Sequence, residues 1–180
     1  MTPFEQVQEA SLQLCWAIKL DSYLYFYPPR EKVDFDNPQS ILDPMDTLFL
    51  PGDQFNTIDD IRLGAENCIL LSVGALFLAL DTALDQAGIK NDPSAQDPFG
   101  QLRILIYMGR CAFAHNILKP CWEVRGKYSR QLAIALPEIA LQVDLNKLSG
   151  TPFDIKQIGG YSQLFKMKDH ILQVLSGASS

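Results

Sequence analysis

Histidine is almost missing from this chain of 180 residues, which has two, and its four cysteines form no CxxC pair. Cys15, Cys68, Cys111 and Cys121 match no zinc-finger spacing, and a metal site needs more ligands than Cys111 and His115 supply. A chain of this size needs no disulfide framework, so small buried thiols in a reducing compartment are expected. Long hydrophobic runs are lacking too. The longest uncharged stretch, residues 67–80 between Glu66 and Asp81, is too short to span a bilayer. The opening Met-Thr-Pro-Phe-Glu-Gln has neither the basic region nor the apolar core of a signal peptide. No internal repeat or low-complexity tract is evident. These absences lead to the expectation of a soluble cytoplasmic protein with no metal, no cofactor and no membrane association.

What is present fits a globular chain: 47% hydrophobic and 20% charged residues, at a length suited to one domain with a full core. The net charge of −6 is unevenly spread. Residues 1–100 carry five basic against sixteen acidic side chains, a net −11, whereas residues 101–180 carry ten against five, a net +5. A basic half within an acidic protein can attract phosphates locally whatever the overall charge. Ordinary solvated charge is the plainer reading.

Thr2, Pro3 and Glu5 make a helix start of cap, first-turn proline and capping-box carboxylate. The apolar spacing carries that helix to about residue 26. Tyr23, Tyr25, Phe26 and Tyr27 then form an aromatic patch, read as a core or dimer contact ahead of a platform for stacking bases. Residues 28–56 are rich in Pro and Asp without sustained period, and read as a long loop. Within it a helical turn is expected near residues 41–46 and an extended piece at 48–50. Asp34, Asp36, Asp43 and Asp46 are most simply a solvated face, with cation binding the alternative. Thr57 with Asp59 and Asp60 opens a second helix running to about residue 87. It is apolar all round between Glu66 and Asp81, so it should be the covered central helix, with Gly64 and Gly74 permitting close packing. Asp97-Pro98 starts a third helix ending near residue 116. Beyond Pro120 the pattern shortens to strand-like pieces at 121–124, 131–136 and 139–145, followed by an amphipathic helix over 161–175. The fold class is therefore mainly α: a helical core over 1–117, a β-rich extension over 118–160 and a C-terminal helix, together one domain.

Residues 104–116, Ile-Leu-Ile-Tyr-Met-Gly-Arg-Cys-Ala-Phe-Ala-His-Asn, are an apolar helical run interrupted by one cation, Arg110, with His115 near its end. On a helix the pair lies about 7.5 Å apart along the axis and about 140° around it. Two long side chains so placed can converge on a cleft at a helix end or across a dimer seam. His115 in a last turn also faces carbonyls that favour imidazolium, a condition for proton transfer near neutrality. The plainer alternative pairs Arg110 with a carboxylate and lets His115 cap carbonyls. A thiol–imidazole pair of Cys111 and His115, four apart, is a further reading, although the setting does little to activate the thiol.

The Arg-x4-His pattern Arg110-Cys-Ala-Phe-Ala-His115, placed at the end of a late helix and followed by Asn116 and Pro120, resembles the motif of the HEPN superfamily. These are small helical proteins, many of them metal-independent ribonucleases. The resemblance covers mainly residues 57–117, where two long helices joined by a short polar loop match the family's core. It implies an HEPN-like bundle whose catalytic residues are Arg110 and His115, with Cys111 and Asn116 beside them. His115 would move the proton of an RNA 2′-hydroxyl, and Arg110 would neutralise the phosphorane. It also implies a homodimer in which two motifs line one cleft. Lys119, Arg125, Lys127 and Arg130 would then hold single-stranded RNA, and Trp122 and Tyr128 would stack its bases. A toxin, defence or RNA-processing role follows, with an antitoxin or other protein as possible partner. Where the family's nucleases carry a polar residue after the arginine, this chain has Cys111. The alternative is a non-catalytic HEPN-like module that binds a partner protein or nucleotide.

Overall fold

The structure, a computed structural model, describes residues 1–27, 36, 38–43 and 46–177, with residues 39–43 and 46–50 described by their backbone. It is mainly helical with two small antiparallel hairpins. The elements are α1 (Pro3–Phe26), β1 (Gln39–Asp43), β2 (Asp46–Leu50), α2 (Ile58–Gln86), α3 (Pro98–Ala114), β3 (Gln131–Leu136), β4 (Ile139–Asp144), α4 (Leu145–Leu148) and α5 (Gly160–Gly177). By contacts the chain divides into two compact units, Cys15–Ile69 in one and Met1–Leu14 with Leu70–Ser180 in the other.

The caps read from sequence are formed. Thr2 Oγ1 accepts from the Glu5 backbone at 3.2 Å, and Glu5 Oε2 accepts from Thr2 N–H at 2.7 Å, a reciprocal capping box. Thr57 caps the backbone of Asp60 while Asp60 reaches back to Thr57 N–H at 2.8 Å. Asp97 caps Gly100 at 2.8 Å with Pro98 in the first turn of α3.

In the larger unit α2 and α3 are the packing axis. Two glycines let them approach: a Cβ on Gly74 would fall 2.6 Å from Phe113, and one on Gly109 would overlap the Phe77 ring. Gly64 differs, since nothing lies within 4 Å of where its Cβ would stand, so close packing is not its role. Phe77, Phe113, Trp122 and Phe153 form an aromatic core, with ring centroids 4.9 Å apart for Phe113–Phe153 and 5.4 Å for Trp122–Phe153. α2 departs from its expectation of all-round cover. Its burial falls on one face, through Val73, Leu76, Phe77, Leu80 and Leu84, and Leu78 opposite remains 52% exposed. Its most apolar eighteen-residue window has a mean hydropathy of 1.9 with 33% buried, a length and composition that can cross a membrane.

Strands β3 and β4 pair in the register Leu132↔Val143 and Ile134↔Leu141 across the two-residue turn Pro137-Glu138. Leu132, Ile134, Ile139 and Val143 are buried while Ala133, Ala135 and Gln142 face outward, the alternation of a half-buried hairpin. The side-chain oxygen of buried Gln101 accepts the Ala133 N–H at 2.5 Å and ties this hairpin to α3. The expected strand at 121–124 is not one. Cys121 makes an isolated bridge to Pro152, because the indole of Trp122 is drawn into the aromatic core and its N–H donates to Gln157 at 2.7 Å. α5 lays Leu164, Met167 and Ile171 into the core.

In the smaller unit Leu24, Ile61 and Ala65 pack with Leu20 and Phe55. The turn expected near residues 41–46 is instead β1, paired with β2 in the register Ile41↔Leu48, while residues 44 and 45 lie outside the described residues. Period-two pairing needs a second strand to be visible, and the reading of 48–50 alone did not supply it. The Asp34 of the acidic group lies outside the described residues, as do the side chains of Asp43 and Asp46. Asp36 accepts the Phe55 N–H at 3.0 Å.

Candidate functional site

Arg103, Tyr107, Arg110 and Cys111 follow one another along α3 at spacings of four, three and one, so they share one face of the helix. That face meets α2 where a carboxylate, Asp81, interrupts an apolar helix. Arg103 is 2% exposed and donates to Asp81 Oδ1 at 2.5 Å, to Asp85 Oδ1 at 2.6 Å and to the Ile89 carbonyl at 3.1 Å. A buried guanidinium is tolerable only with such partners, since an unpaired charge in the interior is prohibitive. The second Asp81 oxygen faces Arg110, with Nε to Oδ2 at 3.6 Å. Arg110 is 41% exposed, so its outer edge remains open to solvent.

Cys111 pairs with Tyr107 one turn back, not with His115. That hydrogen bond, with the charge of Cys111 and burial, pushes the Tyr107 phenol above its ordinary range. Tyr107 stacks on Tyr128 with centroids 5.3 Å apart, and Tyr128 accepts from Asn91 Nδ2 at 2.8 Å. Burial, then the Cys111 charge, raises the Tyr128 phenol as well.

His115 is the C-cap of α3, and its imidazole is 74% exposed. Nε2 lies 3.6 Å from Glu123 Oε2, which also pairs with Arg125 at 3.3 Å. Asn116 shapes the chain beyond: its Oδ1 accepts the N–H groups of Leu118 and Lys119 at 3.1 and 3.0 Å, an Asx turn. Arg110 and His115 thus stand at one end of α3 with separate carboxylates, Asp81 and Glu123.

Of the residues expected to bind RNA, Lys119, Arg125 and Lys127 are exposed. Trp122 is fully buried and has no face for a base. Tyr128 offers a half-buried ring already stacked on Tyr107. Arg130 is engaged structurally, donating to the Pro93 carbonyl at 3.0 Å and to Gln96 at 2.9 Å, which fastens the loop before α3. Asp81, Arg103, Tyr107 and Glu123 belong to the neighbourhood but were not singled out from sequence. The signals existed: Asp81 is the first charge after the uncharged run 67–80 of α2, and Arg103 lies two turns before Arg110 on the same face. Among the described residues no group of three or more His, Cys, Asp or Glu side chains is gathered as metal ligands. Comparison with family models, with curated proteins and with solved structures finds no match for this chain.

Proposed function

We propose that the protein is an HEPN-like, metal-independent endoribonuclease of toxin, defence or RNA-processing type. One observation carries the reading: the exposed His115 imidazole stands beside an orienting carboxylate, Glu123, at the same helix end as a half-exposed Arg110 held by Asp81. A base with an orienter and a cation for the growing oxyanion charge are what phosphodiester transesterification requires. His115 takes the proton of an RNA 2′-hydroxyl, the oxygen attacks the adjacent phosphorus, and the bond to the 5′-oxygen breaks. A 2′,3′-cyclic phosphate and a free 5′-hydroxyl result, the latter protonated by the histidine of a second copy in a homodimer. Exposed Lys119, Arg125 and Lys127 hold the backbone of a single strand. In this reading the enzyme acts in the cytoplasm, and an antitoxin or other protein covers the cleft.

The test is cleavage of single-stranded RNA in the presence of EDTA. Slow cleavage with cyclic phosphate ends is expected. His115→Ala should lower it by about 10²–10⁴-fold, since that is the usual worth of general acid–base help. Arg110→Lys keeps the charge, loses the planar fork that matches phosphate oxygens, and should fail as well. Cleavage that vanishes with EDTA yet survives His115→Ala refutes the mechanism. The contact between Arg110 and the buried Asp81 favours a second reading, a non-catalytic module binding a partner protein or nucleotide. There Arg110→Ala lowers the melting temperature and no variant alters RNA.

A further inference from the structure

α1 buries one side, through Val7, Ala10, Leu14, Ala17 and Leu24, and turns the other to solvent. The outward side is not a usual polar face. Leu12, Trp16, Tyr23 and Phe26 are 70%, 60%, 61% and 71% exposed, and exposed Lys19 lies between them. Leu12, Trp16, Lys19, Tyr23 and Phe26 succeed one another at spacings of four, three, four and three, and exposed Glu9 and Glu5 continue the series toward the amino terminus. These are heptad spacings, with Glu9, Trp16 and Tyr23 in one core position and Glu5, Leu12, Lys19 and Phe26 in the other, so that Leu12, Trp16, Tyr23 and Phe26 make an apolar stripe interrupted by Glu5, Glu9 and Lys19.

We infer that this stripe pairs with α1 of a second copy, antiparallel, about a two-fold axis level with Leu14. The register follows from charge. In it Lys19 meets Glu9 of the second copy, Glu9 meets its Lys19, and Leu12 and Trp16 face each other twice. Tyr23 comes opposite Glu5, where its hydroxyl has an acceptor. Every one of these pairs joins the two different core positions, as antiparallel helices require. A parallel pair sets Glu5, Glu9 and Lys19 each against itself, three like-charge contacts along about 36 Å of helix. Opposed macrodipoles also favour the antiparallel sense. The apolar members supply attraction, and the Glu9–Lys19 contacts select the partner and the register. Cys15, partly exposed on the flank of the seam, comes near its own copy at the axis.

The inference stands on α1 alone: a wild-type monomer would also remove the second copy that the proposed ribonuclease step uses, whereas the α1 charge variants test the seam by itself and without RNA. Sedimentation of the whole chain at micromolar concentration should show a dimer. Glu9→Lys and Lys19→Glu each place like charges across the seam twice and should each give a monomer with unchanged helix content. Combined, they restore complementarity and should restore the dimer, a rescue that misfolding cannot imitate. In a chain with Cys68, Cys111 and Cys121 changed to serine, a short bismaleimide should join Cys15 to Cys15, and Cys15→Ser should abolish the product. A wild-type monomer overturns the inference, including one that floats with lipid vesicles through its aromatic face. So does a dimer indifferent to both single variants, or a charge swap that stays monomeric.

Discussion

At the scale of single residues, one carboxylate joins two arginines of α3 to α2. Asp81 is 7% exposed at its side chain and lies against Arg103, which has almost no solvent of its own. Removing one partner of a buried pair strands the other, at a cost of about 3–5 kcal/mol. Asp81→Asn should therefore lower stability by about 3 kcal/mol in urea unfolding, because Asp85 still pairs with Arg103 but is largely exposed. His115→Ala removes a 74% exposed imidazole and should leave the melting temperature within error. The stacked phenols give an alkaline signature. Both are raised in the folded state, so their contribution is intact below the ordinary tyrosine value of about 10 and is lost as pH climbs through the folded value. Melting temperature followed from about pH 9 to 11 should fall less steeply in Tyr107→Phe than in the wild type. Arg110 and His115 were legible as a pair at the end of a helix because motif spacing is a local property. Their carboxylate partners were not, since Asp81 and Glu123 come from other elements that only packing brings near.

At the scale of elements, the long helices were plain in the sequence because Thr2, Thr57 and Asp97 mark their starts with local hydrogen bonds. The structure forms those bonds. The β3–β4 hairpin was legible from its alternation. The piece around Trp122 misled, because an apolar run reads the same whether it enters a sheet or plugs a core as irregular chain. Cover over α2 was overestimated for a related reason: an apolar helix announces that it can be buried, not how many neighbours it has. Two glycines sort the local cost from the packing one. Gly64→Ala, in open space, should stabilise α2 by about 0.5–1 kcal/mol through chain entropy. Gly109→Ala forces a methyl into the Phe77 ring and should destabilise by about 1–3 kcal/mol in the same titration.

At the scale of the whole molecule, the division of charge matters more than its total. The last eighty residues bear a net +5 against −11 in the first hundred. If exposed Lys119, Arg125 and Lys127 each neutralise a phosphate of single-stranded RNA, log K should fall with log salt at a slope of about −0.7 per contact. Each substitution to Gln should then flatten that slope by about 0.7. Binding isotherms at several ionic strengths measure this, and a slope unmoved by all three changes places the RNA elsewhere. The dimer we infer from α1 would add a size of assembly to this picture, since the outward face of that helix carries Leu12 and Trp16 where solvent alone would favour charge.

The two oxygens of Asp81 also have a mechanical consequence. Arg103 and Arg110 are two helical turns apart on α3, about 10 Å along its axis, and meet the two different oxygens of one carboxylate. Sliding α3 either way along α2 must stretch one of the two, with Gly109 seated on Phe77 between them as a further stop. Asp81 therefore works as a detent. A shift of α3 along α2 would have to break one of these contacts, which ties the height of the Arg110 guanidinium to the buried pair beneath it.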